Sequence, residues 1–158
     1  MIEDDVFSEV AVQLRPAIKA DIAPILAIQE QSFSDGHICA RQWRYLISKA
    51  NGDVLVAVDG QEVCGYLVLL TPKHTKSARV YSVAVAFAYR RNGIGSQLIN
   101  SAKQRSQSKQ KSKLQLEMRA SSRSLTQFYQ QLGFVPQQVL PNYYGEGKNG
   151  LRMGVLLR

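Results

Sequence analysis

The sequence predicts a mixed α/β fold in which one sheet carries helices on both faces. Apolar residues recur with a period of two in some segments and near 3.6 in others. The segments follow one another as strand, two helices, three strands, helix, strand, helix, two strands, which is not a regular βαβ repeat. A length of 158 residues, 45% of them hydrophobic, suits one domain over residues 1–158. A chain of this size buries roughly two-thirds of the surface its unfolded form exposes, so it needs no covalent staple.

Val10, Val12 and Leu14 alternate and predict a first strand that stops at Arg15-Pro16. Asp21 is a suitable N-cap, and Pro24 then falls in a first turn where its missing N–H costs little. Ile22, Ile25, Leu26 and Ile28 follow at near-helical spacing, giving a helix to about Gln31. Residues 32–39 read as a loop. A second helix over 40–50 carries Trp43, Leu46 and Ile47 on one side. Residues 54–58 form a short apolar strand, Asp59-Gly60 signals a two-residue hairpin, and a strand returns over 63–70. Residues 79–87 are nearly all apolar, as in a strand covered on both faces. A helix follows with Ile94, Leu98, Ile99 and Ala102 inward. A solvated Lys/Ser/Gln stretch at 106–113 leads to a fifth strand, where Leu114, Leu116 and Met118 alternate. A short helix over 123–132 ends at Gly133, a C′ residue. Residues 134–140 and 151–157 are the last strands, joined by a Gly- and Tyr-rich loop.

No apolar run approaches the ~18 residues of a membrane span. The acidic start, Met1 to Asp5, lacks the layout of a signal peptide, so a cytoplasmic protein without membrane contact is expected. Cys39 and Cys64 have no ligand cluster beside them and read as buried small hydrophobes, and no metal is expected. His37 and His74 read as surface residues. The net charge of +8 is uneven. Residues 1–79 hold eight Lys/Arg against ten Asp/Glu, and residues 80–158 hold twelve against two. The second half should attract a polyanion, either a phosphorylated cofactor or a nucleic acid, unless it is simply a solvated basic face.

The chemistry concentrates after the fourth strand, at Arg90-x-x-Gly93-x-Gly95. Two glycines let a ligand approach the backbone. The first N–H groups of the following helix lack partners within it, and with the helix dipole they suit a phosphate. Arg90 and Arg91 can add charge-assisted bonds. The alternative is a plain helix start with incidental arginines. No Gly-Lys-Ser/Thr follows, so it is not a Walker loop, and the third glycine of a dinucleotide fingerprint is missing.

The segment Val83-Ala84-Val85, then Arg90-Arg91-Asn92-Gly93-Ile94-Gly95, resembles the acetyl-CoA motif of GNAT N-acetyltransferases. The stretches Leu116-Glu117-Met118-Arg119-Ala120-Ser121, Phe128-Tyr129-Gln130-Gln131-Leu132-Gly133-Phe134 and Asn142-Tyr143-Tyr144 are similar to a narrower group, the bacterial ribosomal-protein-alanine N-acetyltransferases and their N-terminal acetyltransferase relatives. The resemblance covers roughly residues 10–157. It implies an acyl-CoA N-acyltransferase fold with a mostly antiparallel sheet of six to seven strands. It further implies that Val83, Ala84 and Val85 bind the acetyl group and pantetheine arm through their backbone. Arg90, Arg91, Asn92, Gly93, Ile94, Gly95 and Ser96 would wrap the pyrophosphate of acetyl-CoA, with Ser122 standing where the family often has an asparagine. Ala86-Phe87 also replaces an acidic residue and proline common there. Glu117 matches the proposed general base and Tyr129 the general acid.

Amide formation from a thioester needs a neutral amine, a stabilised oxyanion and a proton for the leaving thiolate. An α-amino group titrates near 7.7–8.0 and lysine near 10.4, a gap worth about 3.4 kcal/mol at neutral pH. One carboxylate, working through water, can handle an N-terminus. Glu117 is the only acid between Glu62 and Glu146 and faces away from Leu116 and Met118. Positive surroundings would keep it ionised; the plainer reading is a strand glutamate paired with Lys113 or Arg119. Tyr129 can protonate a thiolate, and it can equally be a core aromatic. Backbone N–H groups of residues 83–85 would stabilise the oxyanion. Tyr143 and Tyr144 would grip the acceptor or pack on the sheet end. Asp35 and Glu30 could line the acceptor side, but the plainer reading is solvated helix-end charges. Three functions remain open: an N-terminal protein acetyltransferase acting on a ribosomal-protein-like acceptor, a small-molecule amine acetyltransferase, and a non-catalytic acyl-CoA sensor or nucleic-acid module. Direct nucleic-acid binding is disfavoured by the lack of an aromatic RNP-type strand. Monomer and homodimer both remain open.

Overall fold

The computed structural model describes residues 11–33 and 38–158. Val10, Asp35, His37 and the acidic first five residues lie outside that set. The described elements are β1 (Gln13–Pro16), α1 (Ile22–Ser32), α2 (Ala40–Ser48), β2 (Gly52–Asp59), β3 (Glu62–Leu70), β4 (Ser77–Val85), α3 (Ile94–Ser108), β5 (Lys113–Arg119), α4 (Arg123–Gln131), β6 (Val135–Leu140) and β7 (Gly150–Leu156). Their order is the one expected. The seven strands form one sheet in the order β1-β2-β3-β4-β5-β7-β6. Every neighbouring pair is antiparallel except β4–β5.

Several local expectations change. The two-residue hairpin connection is Gly60-Gln61, because Asp59 already pairs with Glu62. Gly60 supplies φ 64 there. Pro16 remains in β1, opposite Leu55, at the sheet edge where a proline loses no ladder bond. Asp21 does not cap α1 with its side chain. It closes the preceding 3-10 turn instead, accepting from the Ile18 N–H at 2.7 Å and from both Nη atoms of Arg15 at 2.8 and 3.0 Å. Gly133 is the expected C′ residue, with φ 94. The N–H of Phe134 reaches the Tyr129 carbonyl and that of Gly133 reaches Gln130, a Schellman arrangement. Cys64 is buried, and burial pushes its thiol up to about 11. Cys39 is exposed at the N-cap of α2, which corrects the expectation that both thiols are buried.

The strand expected over residues 79–87 runs from Ser77 to Val85, and Phe87 beyond it is 72% exposed. Nor is it covered uniformly. Val68 pairs with Ser82 and Leu69 with Val80, so Tyr81 is an extra residue, a bulge. Bulging reverses which face each side chain takes. Before it, Ala78 and Val80 join the core under α3; after it, Val83 and Val85 do, and Ala84 turns to the opposite core.

Two cores cover the sheet. One packs Leu67, Leu69, Leu114, Leu116, Met118 and Met153 against Leu98 and Ile99 of α3 and Tyr129 of α4. The other packs Val54, Val56, Tyr66 and Val68 against Ile25 and Ile28 of α1 and Trp43 of α2. Trp43 stands edge-on to Tyr66 at 5.1 Å. No described helix is long and apolar enough to cross a membrane.

Candidate active site

The sheet opens at β4–β5, the one parallel pair among the described residues. β4 and β5 pair from Ser77↔Lys113 to Val80↔Leu116 and no further. Beyond that point β4 stays with β3 as far as Val85↔Gly65, and β5 stays with β7 as far as Arg119↔Gly150. Residues 81–85 and 117–119 are therefore the two lips of a gap, and backbone groups on their facing edges lack ladder partners. The Tyr81 bulge sits where the gap begins.

At the end of the β4 lip the chain turns into α3. The backbone N–H groups of residues 91–96 have no acceptor among the described residues, and the first helical bond runs from Gln97 to the Gly93 carbonyl at 3.1 Å. Arg91 and Gly93 take left-handed φ of 67 and 78. Such a run of amides around left-handed residues forms a concave anion nest, and the positive end of the α3 dipole adds to it. Gly93, Gly95, Asn92 and Ser96 thus contribute main chain to the cradle. The Ile94 side chain is buried, so only its N–H is available. A Cβ on Gly95 would meet the Phe128 ring at 3.3 Å.

Side chains brace this turn. Asn92 Nδ2 donates to the carbonyls of Tyr89 and Arg90. The Tyr89 hydroxyl donates to Glu62 and Asp59, which raise its pKa. Gln31 of α1 accepts from the Phe87 N–H at 2.8 Å. Arg90 Nε donates to the Val85 carbonyl, its Nη2 to Ser32, and its guanidinium lies over Phe87. Arg90 therefore ties the lip to α1, while Arg91 is exposed. Ser122 caps α4, its Oγ accepting from the Leu125 N–H at 3.3 Å, and its own hydroxyl proton stays available to a ligand.

Glu117 and Tyr129 lie on opposite faces of the sheet. Leu116 and Met118 point to the α3 core, so Glu117 points to the α1–α2 side. There its side chain is 6% exposed and takes Arg79 Nε on one oxygen at 2.7 Å and Arg152 Nε on the other at 2.9 Å. The Lys113 or Arg119 pairing weighed from sequence is not the one formed. Each oxygen keeps a further lone pair for a substrate proton or a water. Tyr129 belongs to the α3-side core, edge-on to Phe128 and Phe134. Burial pushes its phenol up to about 12, so it stays protonated. Its hydroxyl makes no hydrogen bond among the described residues.

The loop between β6 and β7 completes the Glu117 side. Asn142 holds it, accepting from the Gly147 N–H, while Asn149 accepts from the Asn142 N–H. The Tyr143 hydroxyl accepts from Arg79 Nη2 at 3.2 Å. Tyr144 lies under the Arg119 guanidinium at 4.8 Å and edge-on to Tyr143. Tyr143 therefore reaches the carboxylate through Arg79, and Tyr144 packs against Tyr143. The sequence reading missed Arg79, Arg152, Gln31 and the Tyr66–Ser82 hydroxyl pair at 3.0 Å on the β4 lip. The one signal for Arg152 was its alternation with Leu151 and Met153.

Two concavities lie elsewhere. One, about 450 Å³, is lined by Asn100, Lys103, Leu156 and Arg158. The other, about 520 Å³, is lined by Ile18, Ile22, Arg44 and Ile47. Neither joins unpaired backbone donors to titratable groups as the gap does. No grouping of three or more His, Cys, Asp or Glu that could hold a metal occurs among the described residues.

Residues 50–136 match the acetyltransferase (GNAT) domain family. Human N-alpha-acetyltransferase 30 is 32% identical over 119 residues, covering 73% of this chain and 33% of that protein. The chain thus spans about a third of that relative's length. An N-alpha-acetyltransferase of Sulfurisphaera tokodaii is 26% identical over 155 residues, covering 92% of this chain and 93% of that protein. Ard1 from Thermoplasma volcanium superposes with a TM-score of 0.83 at 25% identity, over 94% of this chain and 99% of that one. The ribosomal-protein-S18-alanine N-acetyltransferase of Escherichia coli shares the fold, with a TM-score of 0.82 at 16% identity over 93% and 94%.

Proposed function

The chain belongs to the acetyltransferase (GNAT) domain family, and from that membership we propose that it moves the acetyl group of acetyl-CoA to the α-amine of a protein N-terminus by direct attack in a ternary complex. The observation that carries the reading is the run of unpaired N–H groups over residues 91–96 beside a gap between β4 and β5. Relatives named as N-alpha-acetyltransferases support the choice of acceptor.

Acetyl-CoA supplies the activated thioester. The main chain of residues 91–96 binds its diphosphate, with Ser122 as an additional donor. Backbone N–H groups of Val83 and Val85 on the β4 lip hold the acetyl oxygen and stabilise the charge developing on it, whereas the Ala84 N–H, in step with the Ala86 N–H that bonds the Cys64 carbonyl, turns to β3 and is not a donor to the gap. Glu117, on the α1–α2 face, receives the proton of the attacking amine, directly or through water. Tyr129, on the α3 face, gives its proton to the departing sulfur. A base on one face and an acid on the other suit an amine and a thiolate that stand on opposite sides of the reacting carbon. Tyr143 and Tyr144 line the acceptor's path beside Glu117. No side-chain nucleophile is needed.

An acceptor screen scored by release of the CoA thiol tests the proposal. Turnover with N-terminal peptides is expected. Turnover only with small free amines would reject the acceptor, and no affinity for CoA by calorimetry would reject the cradle.

A further inference from the structure

The charges around Glu117 differ in exposure according to sign. The carboxylate side chain is 6% exposed, whereas the Arg79 side chain is 41% and that of Arg152 34% exposed. Arg119 lies over the adjoining Tyr144. Among the described residues two partly exposed guanidiniums, Arg79 and Arg152, thus flank one covered anion. Donor capacity also remains. Arg79 uses Nε on Glu117 and Nη2 on Tyr143, and Arg152 uses Nε on Glu117 and Nη1 on Gln138. Arg79 Nη1 and Arg152 Nη2 make no hydrogen bond among the described residues. A guanidinium fork with a vacant nitrogen suits a carboxylate.

We propose that the acceptor side of this gap selects N-terminal segments carrying a carboxylate within the first few residues, an acidic peptide in preference to a cationic amine. The proposal rests on the acetyl-transfer reading above and names the substrate class of the same site. Polyamines and lysine-rich N-termini would bring like charge against Arg79 and Arg152. An acidic side chain would take their free nitrogens while the α-amine reaches Glu117 beneath them.

The test uses the whole chain, acetyl-CoA and matched peptides that begin with serine and carry Glu, Gln or Lys at the second and third positions. The Glu peptide should exceed the Lys peptide by about tenfold in kcat/KM at roughly 0.05 M salt, with Gln between, and the ratio should shrink several-fold at about 0.5 M salt as screening shortens the range of the field. Overall activity falls in Arg79 and Arg152 variants if Glu117 loses its partner, so the readout is the Glu-to-Lys ratio. Arg79→Gln and Arg152→Gln should each lower the ratio, and Arg79→Lys should keep most of it. Equal or better turnover of the Lys peptide, a ratio indifferent to salt, or a ratio unchanged in both glutamine variants overturns the preference alone. No turnover with any peptide overturns the N-terminal reading and the preference with it.

Discussion

Arg152 of β7 stands opposite Glu117 of β5 in the sheet register, and its Nε donates to the carboxylate at 2.9 Å. Arg79 reaches the other oxygen from β4. The proposed base is therefore held from the strands on both sides of its own, with Arg79 reaching it from the paired stretch of β4 just before the gap. A side chain tethered twice keeps its position when substrate enters, at the cost of competing for its own lone pairs. That tethering and the opposite placement of Tyr129 lead to the following expectations.

Glu117→Gln removes the proton acceptor and keeps the shape. Turnover should fall by about 100-fold or more, as for loss of a general base. Affinity for CoA should be unchanged, because the cradle lies in the turn before α3. Steady-state kinetics with calorimetry separates the two; unchanged turnover would remove Glu117 from the mechanism.

Tyr129→Phe removes a hydroxyl with no partner among the described residues while preserving the edge-on ring contacts with Phe128 and Phe134. Stability should change by less than about 1 kcal/mol. The chemical step should slow by about 100-fold, within the range for a lost general acid. Single-turnover kinetics beside chemical denaturation checks this, and a stable variant with full activity would leave Tyr129 a core aromatic only.

Gly93→Ala forces a side chain into φ 78. The left-handed conformation costs a non-glycine residue about 1–2 kcal/mol. If the turn moves to relieve it, the amides diverge and CoA affinity should fall by about tenfold, the equivalent of 1.4 kcal/mol. Calorimetric titration with CoA measures it.

Alkaline stability follows from two phenols. Burial pushes Tyr129 and Tyr66 up to about 12. In the unfolded chain each titrates near 10. The folded protein holds these protons more tightly, so their contribution to stability is intact below pH 10 and is lost as the pH rises toward 12. Urea midpoints should be level up to about pH 8 and fall by about pH 11, with the buried Cys64 thiol adding to the loss, and Tyr66→Phe should reduce the fall.

Asp21→Asn should cost about 2 kcal/mol, since the charged partner of Arg15 and of the Ile18 N–H is lost together. Burial raises the Asp21 carboxyl, but the Arg15 and Ile18 bonds outweigh it and the net shift is downward. This contribution should therefore be present at neutral pH and vanish as the pH falls below the ordinary carboxylate range. Denaturation curves of both proteins at neutral and acid pH should converge.

Local chemistry was legible where a residue's role depends on its near neighbours. Gly133 ends α4 as its position after the helix implied. The turn over residues 90–95 stands between a strand and a helix and leaves its amides unpaired. Where sequence reasoning missed, the missing information was distant. Asp21 was read as a helix cap because Arg15 could not be placed beside it. Glu117 was offered Lys113 or Arg119, its chain neighbours, whereas Arg79 is 38 positions away and Arg152 is 35. The Tyr81 bulge is invisible in an apolar run, since it exists only relative to β3.

The sequence by itself determined the order of elements, the start of α3 and the residue types available for the chemistry, because periodicity, capping and glycine placement act over a few residues. Only the tertiary structure decided that β4 and β5 part after Val80 and Leu116, that Glu117 and Tyr129 face opposite ways, and that two arginines clasp the carboxylate. Those facts depend on strand register, which joins segments far apart in the chain and is set by how whole faces pack against the two cores.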